Sequence, residues 1–167
     1  MAASMSAQRP LTMSQALFPQ QTLLRHAALV VVASLFTALS AQVSIPLPFS
    51  PVPITGQTFA WLLVPALLGP RLGLAAALLY LVEGAVGLPF FAGGKSGWQA
   101  LSLMEVAGST SGYLIGSVVA AAVVGRLAER GWDRRPLTMA AAMLIGNVVL
   151  YVPGLLMLWM WAAGHTA

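Results

Sequence analysis

The sequence predicts an all-α, polytopic membrane helical bundle of about five spans, and three observations predict it. Of its 167 residues, 59% are hydrophobic and 7% charged. Soluble domains carry roughly 25% charged residues, so lipid must solvate most of this surface. The apolar residues fall into five stretches, about 24–45, 55–69, 72–88, 111–125 and 137–163. Seven of the eight basic residues fall on one side of whatever those stretches cross. Arg9 and Arg25 precede the first stretch, Arg71 lies between the second and third, and Arg126, Arg130, Arg134 and Arg135 lie between the fourth and fifth. Only Lys95 falls on the other side. Lys and Arg stay in the cytoplasm when spanning helices insert. The N-terminus is therefore expected inside, the 45–56 and 88–110 connections outside, and the protein in the cell (inner) membrane.

Residues 1–22 are polar, contain Pro10 and Pro19, and lack the core of a signal peptide. They read as a cytoplasmic tail, and residues 23–167 as the bundle. The first span is long enough for roughly 30 Å of hydrocarbon. Ala33, Thr37 and Ala41 repeat along it at four-residue spacing, with Ser34 and Ala38 beside them. Small residues at that spacing let another helix approach closely. The neighbour is either a helix of the same chain or a partner subunit. Residues 45–54 then read IPLPFSPVPI, with prolines at 46, 48, 51 and 53. Proline lacks an N–H and fixes φ, which excludes helix and suggests a stiff polyproline-like outer connector.

Gly69-Pro70-Arg71 reads as a tight inside turn between the second and third spans, with Pro65 a kink in the second. Gly108, Gly112 and Gly116 open the fourth span to close neighbours. The fifth carries Pro153-Gly154 as an expected kink, and Trp159 and Trp161 suit an interfacial aromatic belt. Several spans are short, so much of the outer segment 88–110 is expected to fold down onto the bundle or form a partial helix.

The composition excludes several chemistries. The pI near 10.4 arises from inside loops that orient the chain and touch anionic lipid. No basic stripe with interleaved aromatics points to nucleic acid. Cysteine is absent, which removes disulfides and thiolate metal sites. His26 and His165 fall at opposite membrane faces, so no metal site is expected. No base–acid–nucleophile set supports an enzyme. Gly94-Lys95-Ser96 resembles the end of a phosphate-binding loop, but Pro89 stands where that motif needs glycine, and the segment faces outside.

Lys95 is then either a solvated lysine or the cation for an anionic ligand arriving from outside. Its glycine neighbours Gly93, Gly94 and Gly97 would let backbone N–H groups approach that ligand. Glu83 lies twelve residues beyond Arg71, roughly 18 Å further out. An acid within a span is a candidate for ion coupling or a hydrogen-bonded structural group. Gln57 and Asn147 offer amides to a polar ligand or to another helix.

Three segments, in order, resemble the BioY family of biotin-specific substrate-binding (S) components of energy-coupling-factor (ECF) transporters. They are Ile45–Thr55 with Gln57, Leu68–Gly73, and Gly87–Gly94 with Ser111-Gly112-Tyr113 downstream. The resemblance implies a six-helix, ECF S-component-like bundle. Such a protein captures biotin outside and delivers it inward with an ATP-driven module, a transmembrane subunit plus two ATPases, or alone. It also implies that Gln57, Gly94, Lys95 and Tyr113 face the ligand, and that Ala33, Thr37 and Ala41 form the partner-subunit interface. No cofactor beyond the transported biotin is implied, and homo-oligomers stay open.

Relatives have a sixth span that opens on a Pro-Gly-Asp-x-x-Lys type motif. This chain stops at Ala167 before any such motif, so an intact form is expected to carry that helix. The rings of Phe49, Phe90, Phe91, Trp98 or Tyr113 would pack on biotin's fused rings, and Lys95 would meet its carboxylate. The competing function is a gradient-driven carrier or channel for another small solute, with Glu83 as its coupling acid.

Overall fold

Gly69 is the hinge on which the architecture turns. In the computed structural model, which describes residues 22–48, 50–98 and 110–165, helix α1 spans Leu23–Gln42 and strands β1 (Ser44–Leu47) and β2 (Ser50–Thr55) follow. Helix α2 runs from Gln57 to Ala85, α3 from Ser111 to Glu129 and α4 from Pro136 to His165. Within α2, Gly69 adopts φ 81° and ψ 177°, outside the helical region. The chain reverses there. A straight helix would hold Gln57 and Tyr80 about 35 Å apart, yet their side chains are hydrogen-bonded at 3.0 Å. A Cβ added to Gly73 would sit 2.7 Å from Pro65 Cα, so the two arms press backbone to backbone. The arms are thus separate antiparallel spans, as the Gly-Pro-Arg turn predicts. Among the described residues, four helices are long and apolar enough to cross a membrane, and with α2 doubled back they make about five crossings.

The proline-rich segment is not a polyproline connector. It is an antiparallel hairpin pairing Ser44 with Thr55, Ile45 with Ile54 and Leu47 with Ser50, with an irregularity between Ile45 and Leu47. The first span accordingly ends at Gln42 rather than near residue 45. The reason lies in the ladder's two-residue alternation. Gly56 N–H donates to Val43 O at 2.9 Å, so the next exchanging pair is Ile45–Ile54. Pro46 and Pro53 fall just beyond that pair, where the register shifts before Leu47–Ser50 and no exchanging pair requires their donors. Both strands are also edges, the setting in which sheets tolerate proline.

Two other boundaries move. The second arm of α2 ends at Ala85. Helix α3 continues through Arg126 to Glu129, and α4 passes unbroken through Pro153. Residues 88–98 make a tight turn that includes a 3-10 stretch at Ala92–Gly94. Residues 99–109 of the outer segment and the 1–21 tail lie outside the described residues.

Packing is close because small residues line the contacts. Ala120, Ala121 and Val124 of α3 are fully buried among Trp61, Tyr80 and Leu150. A Cβ on Gly125 would lie 2.5 Å from Pro70 Cα, and one on Gly116 would lie 2.5 Å from Leu150 O. Outward faces remain apolar, with Leu39, Leu144 and Trp159 between 66% and 70% exposed, as suits contact with lipid. The chain is a membrane protein.

The small-residue stripe of α1 faces its own chain. Ala33, Thr37 and Ala41 are 6%, 4% and 0% exposed, and Ala33 packs with Val64 and Ala76 of α2. Of the two readings of that stripe, packing within the chain is the one this geometry supports. A partner that docks on α1 would meet Val31, Val32, Leu35 and Leu39 instead, which are exposed.

Ser34 belongs to the same buried face, and its hydroxyl is hydrogen-bonded to the Glu83 carboxylate on the second arm of α2. Glu83 is therefore a tie between two spans. Ser34→Ala should cost about 1–3 kcal/mol, because it leaves the carboxyl without its partner in apolar surroundings. Glu83→Gln keeps an acceptor for Ser34 and should cost under about 1 kcal/mol. Thermal unfolding in detergent reads both. Equal melting of wild type and Ser34→Ala would remove the tie.

Candidate functional site

The two ends of the bundle differ in charge and in shape. At one end, Gly69-Pro70 abuts Gly125, which brings the reversal that carries Arg71 beside the last turn of α3, which carries Arg126. Arg134 sits in the Trp132–Arg134 turn between α3 and α4. At the other end lies a cavity of about 450 Å³, within the range of small-molecule sites.

Five parts of the chain build that cavity. The hairpin contributes Val52, Pro53, Ile54 and Thr55, and the start of α2 contributes Gln57, Thr58 and Trp61. Phe91, Ala92 and Lys95 come from the turn after α2. Thr110, the residue before α3, joins Tyr113 and Leu114 of α3, and Leu150, Tyr151, Leu155 and Leu158 come from α4. The wall is mostly apolar, with amide and hydroxyl groups at a few points and one cation, Lys95. Such a site suits a small molecule with an apolar body, hydrogen-bonding groups and a negative charge.

Two of the aromatic walls are fixed from behind. Tyr80, with no exposed surface, stands edge-on to Trp61 at 5.4 Å and to Phe91 at 5.7 Å between ring centroids. On the opposite wall Tyr113 and Tyr151 meet edge-to-face at 5.6 Å and 89°. Gly154 makes room for Tyr113, since a Cβ there would lie 2.4 Å from its ring.

Three of the four residues expected to face a ligand are brought together: Gln57, Lys95 and Tyr113 all line the cavity. Gly94 does not line it. Its N–H donates to Phe91 O at 3.0 Å, and Lys95 O accepts from Phe91 N–H at 3.0 Å. Gly94, at φ 72°, supplies the left-handed conformation that closes this turn and brings Lys95 to the cavity. Gly97 N–H is also committed, to Gly84 O at 2.8 Å. The glycines shape the turn, and the N–H groups of Gly94 and Gly97 are already spent in doing so.

Of the five rings offered for ligand packing, Phe91 and Tyr113 line the cavity. Phe90 packs against the core behind it, Trp98 is 72% exposed, and Phe49 lies outside the described residues. Trp61 escaped the sequence reading, although its spacing of four from Gln57 places both on one helix face. Tyr151 and the hairpin residues escaped because their contribution needs tertiary contacts. Asn147 is not part of the cavity wall; its amide donates to Met143 O at 3.0 Å within α4. Glu83 is not part of it either.

The model of the BioY family matches residues 7–167. A probable biotin transporter BioY of Pyrococcus horikoshii is 35% identical over 139 residues, covering 83% of this chain and 75% of that protein. The biotin transporter BioY of Rhodobacter capsulatus is 40% identical over 131 residues, covering 77% and 65%. That of Thermotoga maritima is 43% identical over 104 residues, covering 60% and 57%. Among solved structures, the S-component for biotin from an ECF-type ABC transporter superposes with a TM-score of 0.73 at 21% identity, covering 86% of this chain and 78% of that one. The described helices thus follow the fold of that S-component.

Proposed function

The chain belongs to the BioY family, and from that premise we propose that it is a biotin-uptake protein that captures the vitamin in the cavity between the hairpin, α3 and α4. The observation that carries this reading is the cavity itself. It is apolar, of ligand size, and set with a buried amide and one ammonium at the end away from the arginines. The arginine-bearing turns belong in the cytoplasm, so the cavity faces outward and the N-terminus inward, in the cell membrane. Biotin's fused rings suit the Trp61, Phe91 and Tyr113 walls. Its carboxylate suits Lys95, and its ureido group suits Gln57.

Release to the inside requires work that this chain has no ATP-binding motif to supply. A membrane-embedded energy-coupling subunit with two ATPases is the partner this reading calls for, unless the protein acts alone. A gradient-driven carrier is less well supported. Glu83, the acid it would use, is tied to Ser34 and is not part of the cavity wall.

Titration of the detergent-purified protein with biotin, and with thiamine as control, tests the proposal. Biotin should bind saturably and thiamine should not. Lys95 is exposed at the rim, so Lys95→Ala should weaken biotin by about 1.5 kcal/mol, the low end for a charge-assisted bond. Biotin amide, which lacks the carboxylate, should lose little on the same change. Equal loss for acid and amide would remove Lys95 from carboxylate recognition. Equal binding of biotin and thiamine would sink the function.

A further inference from the structure

Gln57 reaches the cavity from a buried position, and a second residue decides which end of its amide can meet a ligand. Tyr80 O–H donates to Phe90 O at 3.0 Å. A backbone carbonyl can only accept, so the single phenolic hydrogen is committed there. The phenolic oxygen is left as an acceptor for Gln57 Nε2, also at 3.0 Å. The amide nitrogen is thereby held against Tyr80, and Gln57 keeps its carbonyl Oε1 as an acceptor that no described residue engages. The same hydroxyl fixes the turn that carries Phe91 and Lys95. Gln42, from α1, adds a second hold, its amide nitrogen lying 3.3 Å from both Pro89 O and Phe90 O and 3.4 Å from Phe91 O.

The geometry points to Tyr80 as a positioning residue for the ligand site: its hydroxyl holds the 89–91 turn and orients Gln57 to present an acceptor, so that the amide selects a ligand N–H. This rests on the biotin reading, in which the ureido N–H is that donor. Tyr80 itself is absent from the cavity wall and acts only through the groups it holds.

Tyr80→Phe keeps the ring between Trp61 and Phe91 and deletes the oxygen alone. Full-length detergent-purified protein should then lose about tenfold in biotin affinity, the scale of one buried hydrogen bond. In a Gln57→Leu background, which has no amide left to orient, the same change should cost clearly less, about threefold, the remainder coming from the loosened 89–91 turn. A purely structural role for the hydroxyl would cost the same in both backgrounds, and that result overturns the proposal. Hydrogen exchange of ligand-free protein gives an independent reading. The amides of Phe91, Gly94 and Gly97 should exchange faster in Tyr80→Phe than in wild type, and unchanged exchange also overturns the proposal. If wild-type protein fails to bind biotin, the functional reading falls, while the exchange measurement still decides the role of Tyr80.

Discussion

Gly116→Leu is expected to destabilise the bundle by about 3 kcal/mol, the upper end for overpacking a well-filled contact. A Cβ at Gly116 would already lie 2.5 Å from Leu150 O and 2.7 Å from Pro153 Cγ. Neither neighbour is the mobile tip of a flexible side chain, so α3 and α4 must separate. That separation also opens the cavity, since Tyr113 and Leu114 line it from α3 and Leu150 and Tyr151 from α4. Unfolding of the solubilised protein should shift down by about 10 °C, and biotin binding should fall with it. Ile115→Ala is the control, because Ile115 is 52% exposed and faces outward; it should change stability by no more than about 0.5 kcal/mol. Melting of Gly116→Leu at the wild-type temperature would mean that the two helices do not meet there.

Trp61→Ala should cost about 3–5 kcal/mol, the range for removing a large buried aromatic. The indole is 4% exposed, packs edge-on against Tyr80 and forms part of the cavity wall. Truncation therefore leaves a void that joins the cavity, and biotin loses a flat apolar surface. Affinity should fall by about thirtyfold or more, as at a binding hot spot. Trp61→Phe keeps a ring against Tyr80 and should recover most of the stability and part of the affinity. If Trp61→Ala bound biotin as tightly as wild type, the ligand would sit elsewhere.

The site was legible to the extent that its signals were local. Gln57 and Lys95 stood out because an amide at a helix start and a lone outer cation are anomalies in an apolar chain. Tyr113 entered through the family resemblance. Gly94 closes a turn and does not line the cavity. A glycine that lets a ligand approach and a glycine that closes a turn look alike in sequence, and only its hydrogen bond to Phe91 separates them. The hairpin was missed because four prolines oppose a ladder in general. They are tolerated here by falling outside the exchanging pair Ile45–Ile54 or on an edge. Trp61 and Tyr151 were missed because a large aromatic in a span reads equally as core, lipid contact or ligand wall.

The amino-acid order alone determined that the chain crosses a membrane, how many times, and which end bears its arginines, since hydrophobic length and charge placement act residue by residue against a uniform solvent. It also determined the reversal at Gly69, because few other residues would adopt that conformation next to proline. Only the tertiary structure decided that the alanine stripe of α1 faces inward, that Ser34 claims Glu83, and that Tyr80 stands behind both Gln57 and Phe91. Those outcomes depend on distances between spans far apart in the chain, and the packing of whole helices sets them.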